Sequence, residues 1–143
     1  KGLLMRYGAV EVLGVGEDAD SVIPELHSER RRVSSRGILK ADVVLVPLED
    51  GDRTEALKRL GKTVIAIDLN PLSRTSRAAD ISIVDNVVRA FPKIFEYASK
   101  LGKYSKKRLN GILNRYDNDE ILRDTLRYIV KRLEKLSKEG IQL

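Results

Sequence analysis

The sequence predicts an α/β fold, a small and mostly parallel sheet followed by C-terminal helices. Three observations carry that prediction. Residues 42–46 and 63–67 are apolar, β-branched runs joined by an acidic turn and a short helical stretch, the order of a β-α-β unit. A third such run, 80–84, follows a short link, and like the other two it ends in a polar, acid-bearing turn. From Val87 onward the apolar residues recur at helical spacing instead. At 143 residues the chain suits one domain, 1–143, which can bury about 70% of the surface of its unfolded form. Within it we read a strand-rich core over 1–90 and a helical packing or dimer region over 91–143.

In chain order, Gly2-Leu3-Leu4-Met5 reads as the tail of a helix ended by Tyr7-Gly8-Ala9. A start inside an element points to a piece of a longer chain, with a trimmed or processed terminus as the alternative. Val10-Glu11-Val12-Leu13-Gly14-Val15 reads as a first strand. Residues 22–40 have weak periodicity and a basic run, Arg30-Arg31-Arg32. A structureless stretch of that length is uncommon in a compact domain, so it is either functional or not the loop it resembles. Residues 42–46 show no alternation, as expected of a strand buried on both faces. Asp52, followed three residues later by Glu55, has the spacing of a capping box, and Gly61 is placed to end that helix. Residues 74–79 form a short helical or looped link. Pro92 either opens a helix or kinks one begun at Val87. Helices over 104–116 and 119–138 follow. The second carries Ile121, Leu122, Leu126, Ile129, Leu133 and Leu136, a core or dimer stripe, and Gly140 closes it.

Composition removes several function classes. With no cysteine and a single histidine, the sequence has no disulfide framework, no thiolate nucleophile and no histidine or thiolate zinc cluster. His27 has polar neighbours and reads as a surface histidine, with a substrate contact as the alternative. No apolar run approaches the about 20 residues a membrane span needs, and no signal layout leads the chain, so a soluble cytoplasmic protein is expected. Lys and Arg number 27 against 21 Asp and Glu, a formal charge of +6. The basic residues are spread, with the densest patch over 100–108 and only Tyr97 and Tyr104 beside it. That patch is open to three readings: a solvated face, an anion site or a nucleic-acid face. No Trp and only two Phe weaken the case for a base-stacking platform.

The constellation with chemical content is Glu49, Asp50, Gly51, Asp52, Arg53 and Thr54, facing Asp68, Asn70 and Pro71 across adjacent strand ends. In an open parallel sheet those C-terminal edges lie side by side, where ligands bind. Gly51 permits a tight turn or a close approach. The N–H groups opening the next helix can hold an anion, with Arg53, Thr54 and another arginine sharing it. Asp68 is placed to accept hydrogen bonds from a ribose diol. Clustered acids repel a bare triphosphate, so either a divalent cation neutralises them or they face sugar and base. The same residues also suit plain turns and a helix cap, and the chemistry alone leaves both readings open. No G-x-x-x-x-G-K-[ST] loop is present, and Gly14-Val15-Gly16 lacks the rest of a dinucleotide fingerprint.

The segment Ala41-Asp42-Val43-Val44-Leu45-Val46-Pro47-Leu48-Glu49-Asp50-Gly51-Asp52-Arg53-Thr54-Glu55-Ala56-Leu57 resembles the archaeal phosphopantothenate synthetases, also called 4-phosphopantoate–β-alanine ligases. So do Val64 to Arg74, Ile83 to Ala90, and the stretch from Tyr116-Asp117-Asn118 to Glu139-Gly140. The resemblance implies a Rossmann-like three-layer fold, a homodimer and an ATP-dependent ligase of coenzyme A biosynthesis that uses Mg²⁺. In that family the 4-phosphopantoate carboxylate attacks the α-phosphorus of ATP, and the β-alanine amine then displaces AMP from the acyl-adenylate. Carried over by position, the nucleotide pocket comprises Glu49, Asp50, Gly51, Asp52 and Arg53, then Asp68, Leu69, Asn70, Pro71 and Leu72, and Thr54 joins them as a nucleotide-binding candidate from its place beside Arg53. Arg53, Asp50 and Asp52 are the catalytic candidates, and Arg74 and Arg77 the further phosphate or substrate candidates. No metal ligand is assigned. One departure matters: the family's N-terminal His-Gly-Arg-Gly-Glu stretch, which supplies arginines and substrate contacts, does not occur in this sequence. The chain is therefore expected to hold half an active site and to be inactive alone. The alternatives are a non-catalytic nucleotide-binding or regulatory module and, less favoured, a basic nucleic-acid-binding module.

Overall fold

A computed structural model describes residues 1–141. Helix α1 (Gly2–Arg6) leads into an irregular segment, then a two-stranded antiparallel ribbon of β1 (Ser21–Val22) and β2 (Arg32–Val33). The main sheet is β3 (Val43–Val46), β4 (Thr63–Asp68) and β5 (Ile81–Val84), all parallel, in spatial order β3-β4-β5. Its crossovers are α2 (Gly51–Arg59) and α3 (Arg74–Ala78). Three helices close the chain: α4 (Val87–Leu101), α5 (Lys106–Leu113) and α6 (Asn118–Glu139). No described helix is long and apolar enough to cross a membrane.

The expected first strand over 10–15 does not form. Gly14 (φ +73°) and Gly16 (φ +68°) adopt left-handed backbone there, and the Gly14 N–H donates to Asp18 Oδ2 at 2.6 Å rather than to a neighbouring strand. The long connection after it is packed instead of loose. Ile23, Leu26 and Val33 join one apolar cluster with Val44, Val46, Val64, Ala66, Ala56 and Leu57.

Strand β3 corrects a second expectation. Val44 and Val46 are buried, but Val43 is 54% and Leu45 38% exposed. As an edge strand it has one face under the apolar cluster and the other open, whereas central β4 buries Val64, Ala66 and Ile67. Helix α2 is capped by Asp50, not Asp52: the Asp50 carboxylate accepts from the Arg53 N–H at 3.3 Å, and the Asp50 carbonyl from the Thr54 N–H. At its other end, Lys62 N–H donates to the Leu57 carbonyl and Gly61 N–H to that of Lys58, with Gly61 at φ +74°. That pair of bonds is the Schellman stop predicted for Gly61. Pro92 lies inside α4, which does begin at Val87 with Asn86 as its cap. Of the α6 stripe only Leu122 is buried, while Ile121 and Leu133 are exposed, so the stripe adds little to this chain's own core. Asn118, at the start of α6, ties that helix to the sheet. Its Oδ1 accepts from Ser82 N–H at 2.7 Å, and its Nδ2 donates to the carbonyls of Ser76 and Ala79.

Asp80 pins α2 to the sheet, with Oδ1 2.5 Å from Lys58 Nζ and Oδ2 accepting the Val64 N–H at 2.7 Å. Burial alone would raise its pKa, but the Lys58 ammonium and the Val64 N–H outweigh burial and hold it below 3.8. A carboxylate with a depressed folded pKa contributes stability above its unfolded pKa and loses it as pH falls through the folded value. Asp80→Asn should therefore lower the melting temperature near neutral pH, with the gap to the parent closing below about pH 4. Melts across that range check this, and a gap constant from neutral to acid would contradict it.

Candidate functional site

The C-terminal ends of β3, β4 and β5 lie side by side, as the register Val46↔Ala66 and Asp68↔Val84 requires. The chain leaves β3 through Pro47 to Asp50 and enters α2 at once. Asp50 is the hub of that turn. Its backbone N–H donates to Thr75 Oγ1 at 3.0 Å, tying the turn to α3. Its carboxylate lies 3.0 Å from Arg30 Nη1 and 3.6 Å from Arg53 Nε, with only 14% of the side chain exposed. Arg53 Nη2 also donates to the Arg30 carbonyl. Two guanidiniums and a helix N–H thus share one carboxylate, which fixes Asp50 as the post that holds both arginines.

Gly51 is required for a different reason than a ligand's approach. A Cβ there would lie 2.9 Å from Arg74 Cβ, so the glycine lets the first turns of α2 and α3 close on each other. Asp52, freed from capping, is exposed and bonds Arg74 Nη2 at 2.6 Å, with Glu55 3.9 Å from Arg74 Nη1. The Asp52 carboxylate, first among its neighbours, raises the Arg74 pKa above the usual guanidinium value. Thr54 is fully buried and its hydroxyl has no partner among the described residues. Glu49 is exposed at the mouth.

The second segment folds on itself. Asp68 is 8% exposed, and its two oxygens accept from Ser73 Oγ at 2.5 Å and Asn70 N–H at 2.9 Å. Asn70 Oδ1 accepts from the Leu72 N–H, and Ser73 caps α3 through the Ser76 N–H. Pro71 is buried beneath, which leaves Leu69, Asn70 and Leu72 exposed as a ledge. Asp68 is thus not the open carboxylate expected: it is buried, and each of its oxygens already accepts a hydrogen bond from its own loop.

Three clefts meet at Arg53. One of about 420 Å³ runs past Ser28, Arg30, Asp50, Asp52 and Arg59. A second of about 480 Å³ lies between Gly14, Arg30, Arg32, Ser34 and Ile38. The third, about 200 Å³, follows Val46 to Asp50. None of the three is lined by Asp68 to Leu72, so the structure joins the two predicted segments through α3 rather than across one cavity. Arg77 is not with them either: it lines a separate cleft with Asp80 and residues 114–119. Arg30 is the site residue that the sequence did not single out; its only trace was the basic run in the long connection. His27 is exposed as expected, at the edge of the Arg59 cleft. In the basic patch, Arg108 already covers the Tyr104 ring at 3.7 Å and Lys100 the Tyr97 ring at 5.5 Å, which leaves those faces poorly placed to stack a base.

Comparison with known proteins decides the family. The family described as phosphopantothenate/pantothenate synthetase matches residues 1–132. The chain belongs to that family. It is 54% identical over 132 residues to the 4-phosphopantoate--beta-alanine ligase of Thermococcus kodakarensis, covering 92% of this chain and 50% of that protein. It is 51% identical over 136 residues to the ligase of the same name from Methanosarcina mazei, covering 95% of this chain and 53% of that one. A third, from Methanospirillum hungatei, is 43% identical over 132 residues, covering 92% and 51%. The chain thus spans about half the length of the curated relatives it matches. In this member of the synthetase family, no group of three or more His, Cys, Asp or Glu among the described residues is placed to hold a metal. Asp50 and Asp52 are each paired with an arginine, Arg30 and Arg74 respectively.

Proposed function

We propose that this chain supplies the nucleotide-binding half of an ATP-dependent ligase joining 4-phosphopantoate and β-alanine. The observation that carries the reading is Arg53, fixed by Asp50 and the Arg30 carbonyl where three clefts converge at the sheet's C-terminal edge. Adenylation brings an acid and a nucleotide together at one point, and a fixed cation there meets the charge that builds on the α-phosphoryl oxygens. The carboxylate oxygen bonds to the α-phosphorus as pyrophosphate leaves. The amine then bonds to the acyl carbon, loses a proton and expels AMP.

On this reading Arg53 touches the reacting phosphoryl group. Asp50 and Thr75 position it, and Asp52 holds Arg74 in reserve at the α2–α3 junction, close to the mouth marked by Glu49. The ledge of Leu69, Asn70 and Leu72, propped by Asp68 and Pro71, offers an apolar shelf for a base. Magnesium would enter on the nucleotide's phosphates rather than in a protein cage. Exposed Val88, Phe95 and Leu133 on α4 and α6 support a homodimer contact, and a cytoplasmic setting follows from the substrates. Because the chain spans half of its relatives, it is expected to bind nucleotide weakly and to make no product alone. Supplying the full-length gene product with ATP, Mg²⁺, 4-phosphopantoate and β-alanine, with products identified by mass spectrometry, tests the reading. 4-Phosphopantothenate is expected, and its absence would leave only a binding module.

A further inference from the structure

Arg74 lies along a track that a single glycine opens. Its side chain crosses the bare Cα of Gly51, where a Cβ would lie 2.9 Å from Arg74 Cβ, 3.2 Å from Nε and 3.4 Å from Nη2. At the end of that track Nη2 meets Asp52 Oδ1 at 2.6 Å, and Nη1 lies 3.9 Å from Glu55 Oε1. Asp52 first, then Glu55 and Glu49, pull the Arg74 pKa upward, so the guanidinium is held by acids of α2 and of the turn before it. The pair is open to water at both ends, with 60% of the Arg74 and 54% of the Asp52 side chain exposed. Asp50 differs, since only 14% of its side chain is exposed. Withdrawing Arg53 would take a charge partner from a nearly buried carboxylate, a costly step. Withdrawing Arg74 leaves only an exposed carboxylate, whose pairing is worth little in water.

We propose that Asp52 is a positioning residue that stows Arg74 across Gly51 and surrenders it to the phosphates of an incoming nucleotide. A polyphosphate carries more charge than one carboxylate and accepts the same guanidinium fork, so it outcompetes an exposed acid. Arg74 opens α3 directly after the loop of Asp68 to Ser73, beside the exposed Leu69, Asn70 and Leu72. The released side chain therefore starts at the strand ends. Each nucleotide must break the Asp52–Arg74 pair before it binds, so Asp52 sets affinity through Arg74. A nucleotide as the anion rests on the ligase reading.

Calorimetric titration of the full-length protein with ATP, and with adenosine lacking the phosphates, provides the test. Asp52→Asn should tighten ATP binding about threefold, the worth of one exposed pair, and lower the KM for ATP to match. Adenosine affinity should not change. Arg74→Gln should weaken ATP binding about tenfold. Removing any acid favours an anion, so the double variant decides: with Arg74→Gln already present, Asp52→Asn should bring no gain. Unchanged or weaker ATP binding in Asp52→Asn would overturn the proposal. So would a gain that persists in the double variant, because Asp52 would then act by its charge alone and not through Arg74. The expected pattern in a protein that makes no 4-phosphopantothenate would support the stowed arginine and defeat the ligase reading. Product formation without the pattern would do the reverse.

Discussion

Arg53→Ala should reduce ATP-dependent ligation by the full-length protein about 10²- to 10³-fold, the cost of losing one preorganised group that meets transition-state charge. The argument is geometric. Arg53 is 28% exposed, its Nε faces Asp50 at 3.6 Å, and its Nη2 is anchored on the Arg30 carbonyl. It is the residue common to all three clefts. Arg53→Lys keeps the charge but loses the fork, so it should fall between parent and alanine. Steady-state kinetics on the three proteins, with melts to confirm folding, read the effect. Activity of Arg53→Ala within about twofold of the parent would remove Arg53 from the reacting centre.

Asp68→Ala should cost about 3 kcal/mol of stability, since it leaves the buried Ser73 hydroxyl and the Asn70 N–H without their charged acceptor. Ser73 also caps α3, so the damage should spread to the Arg74 end of that helix. Asp68→Asn keeps one acceptor oxygen and should cost less. Denaturant unfolding of both variants measures this, and an unaltered midpoint in Asp68→Ala would contradict the structural role. The sequence reading expects the opposite, a variant that folds normally and binds nucleotide weakly. Burial at 8% and the two hydrogen bonds from its own loop are the ground for expecting the stability loss.

The parallel strands were legible because β-branched runs bounded by acids at their C-terminal ends leave few alternatives, and Gly61 stopped α2 where the helix pattern ran out. The α2 cap was misplaced by two residues because Asp52 and Glu55 imitate a capping box, while the contact that selects Asp50 comes from Thr75, distant in sequence. The run from Val10 to Val15 looked like a strand because its apolar residues do not reveal that Gly14 turns to Asp18. Arg30 could not be singled out, since nothing local separates it from Arg31 and Arg32, and only the fold brings it to Asp50. In α6 the helical period located a stripe correctly, but periodicity does not say what covers it: Leu122 is buried, Leu126, Ile129 and Leu136 are half-buried, and Ile121 and Leu133 are exposed.

The most direct measurement is the fate of carboxylate oxygen. With 4-phosphopantoate carrying heavy oxygen in its carboxylate, plus ATP, Mg²⁺ and β-alanine, the full-length protein should transfer a single labelled oxygen to each AMP and none to pyrophosphate. That is the mark of a carboxylate attacking the α-phosphorus beside Arg53. Label recovered in inorganic phosphate, with ADP as co-product, would mean attack at the γ-phosphorus and would contradict the adenylation site assigned to this sheet edge.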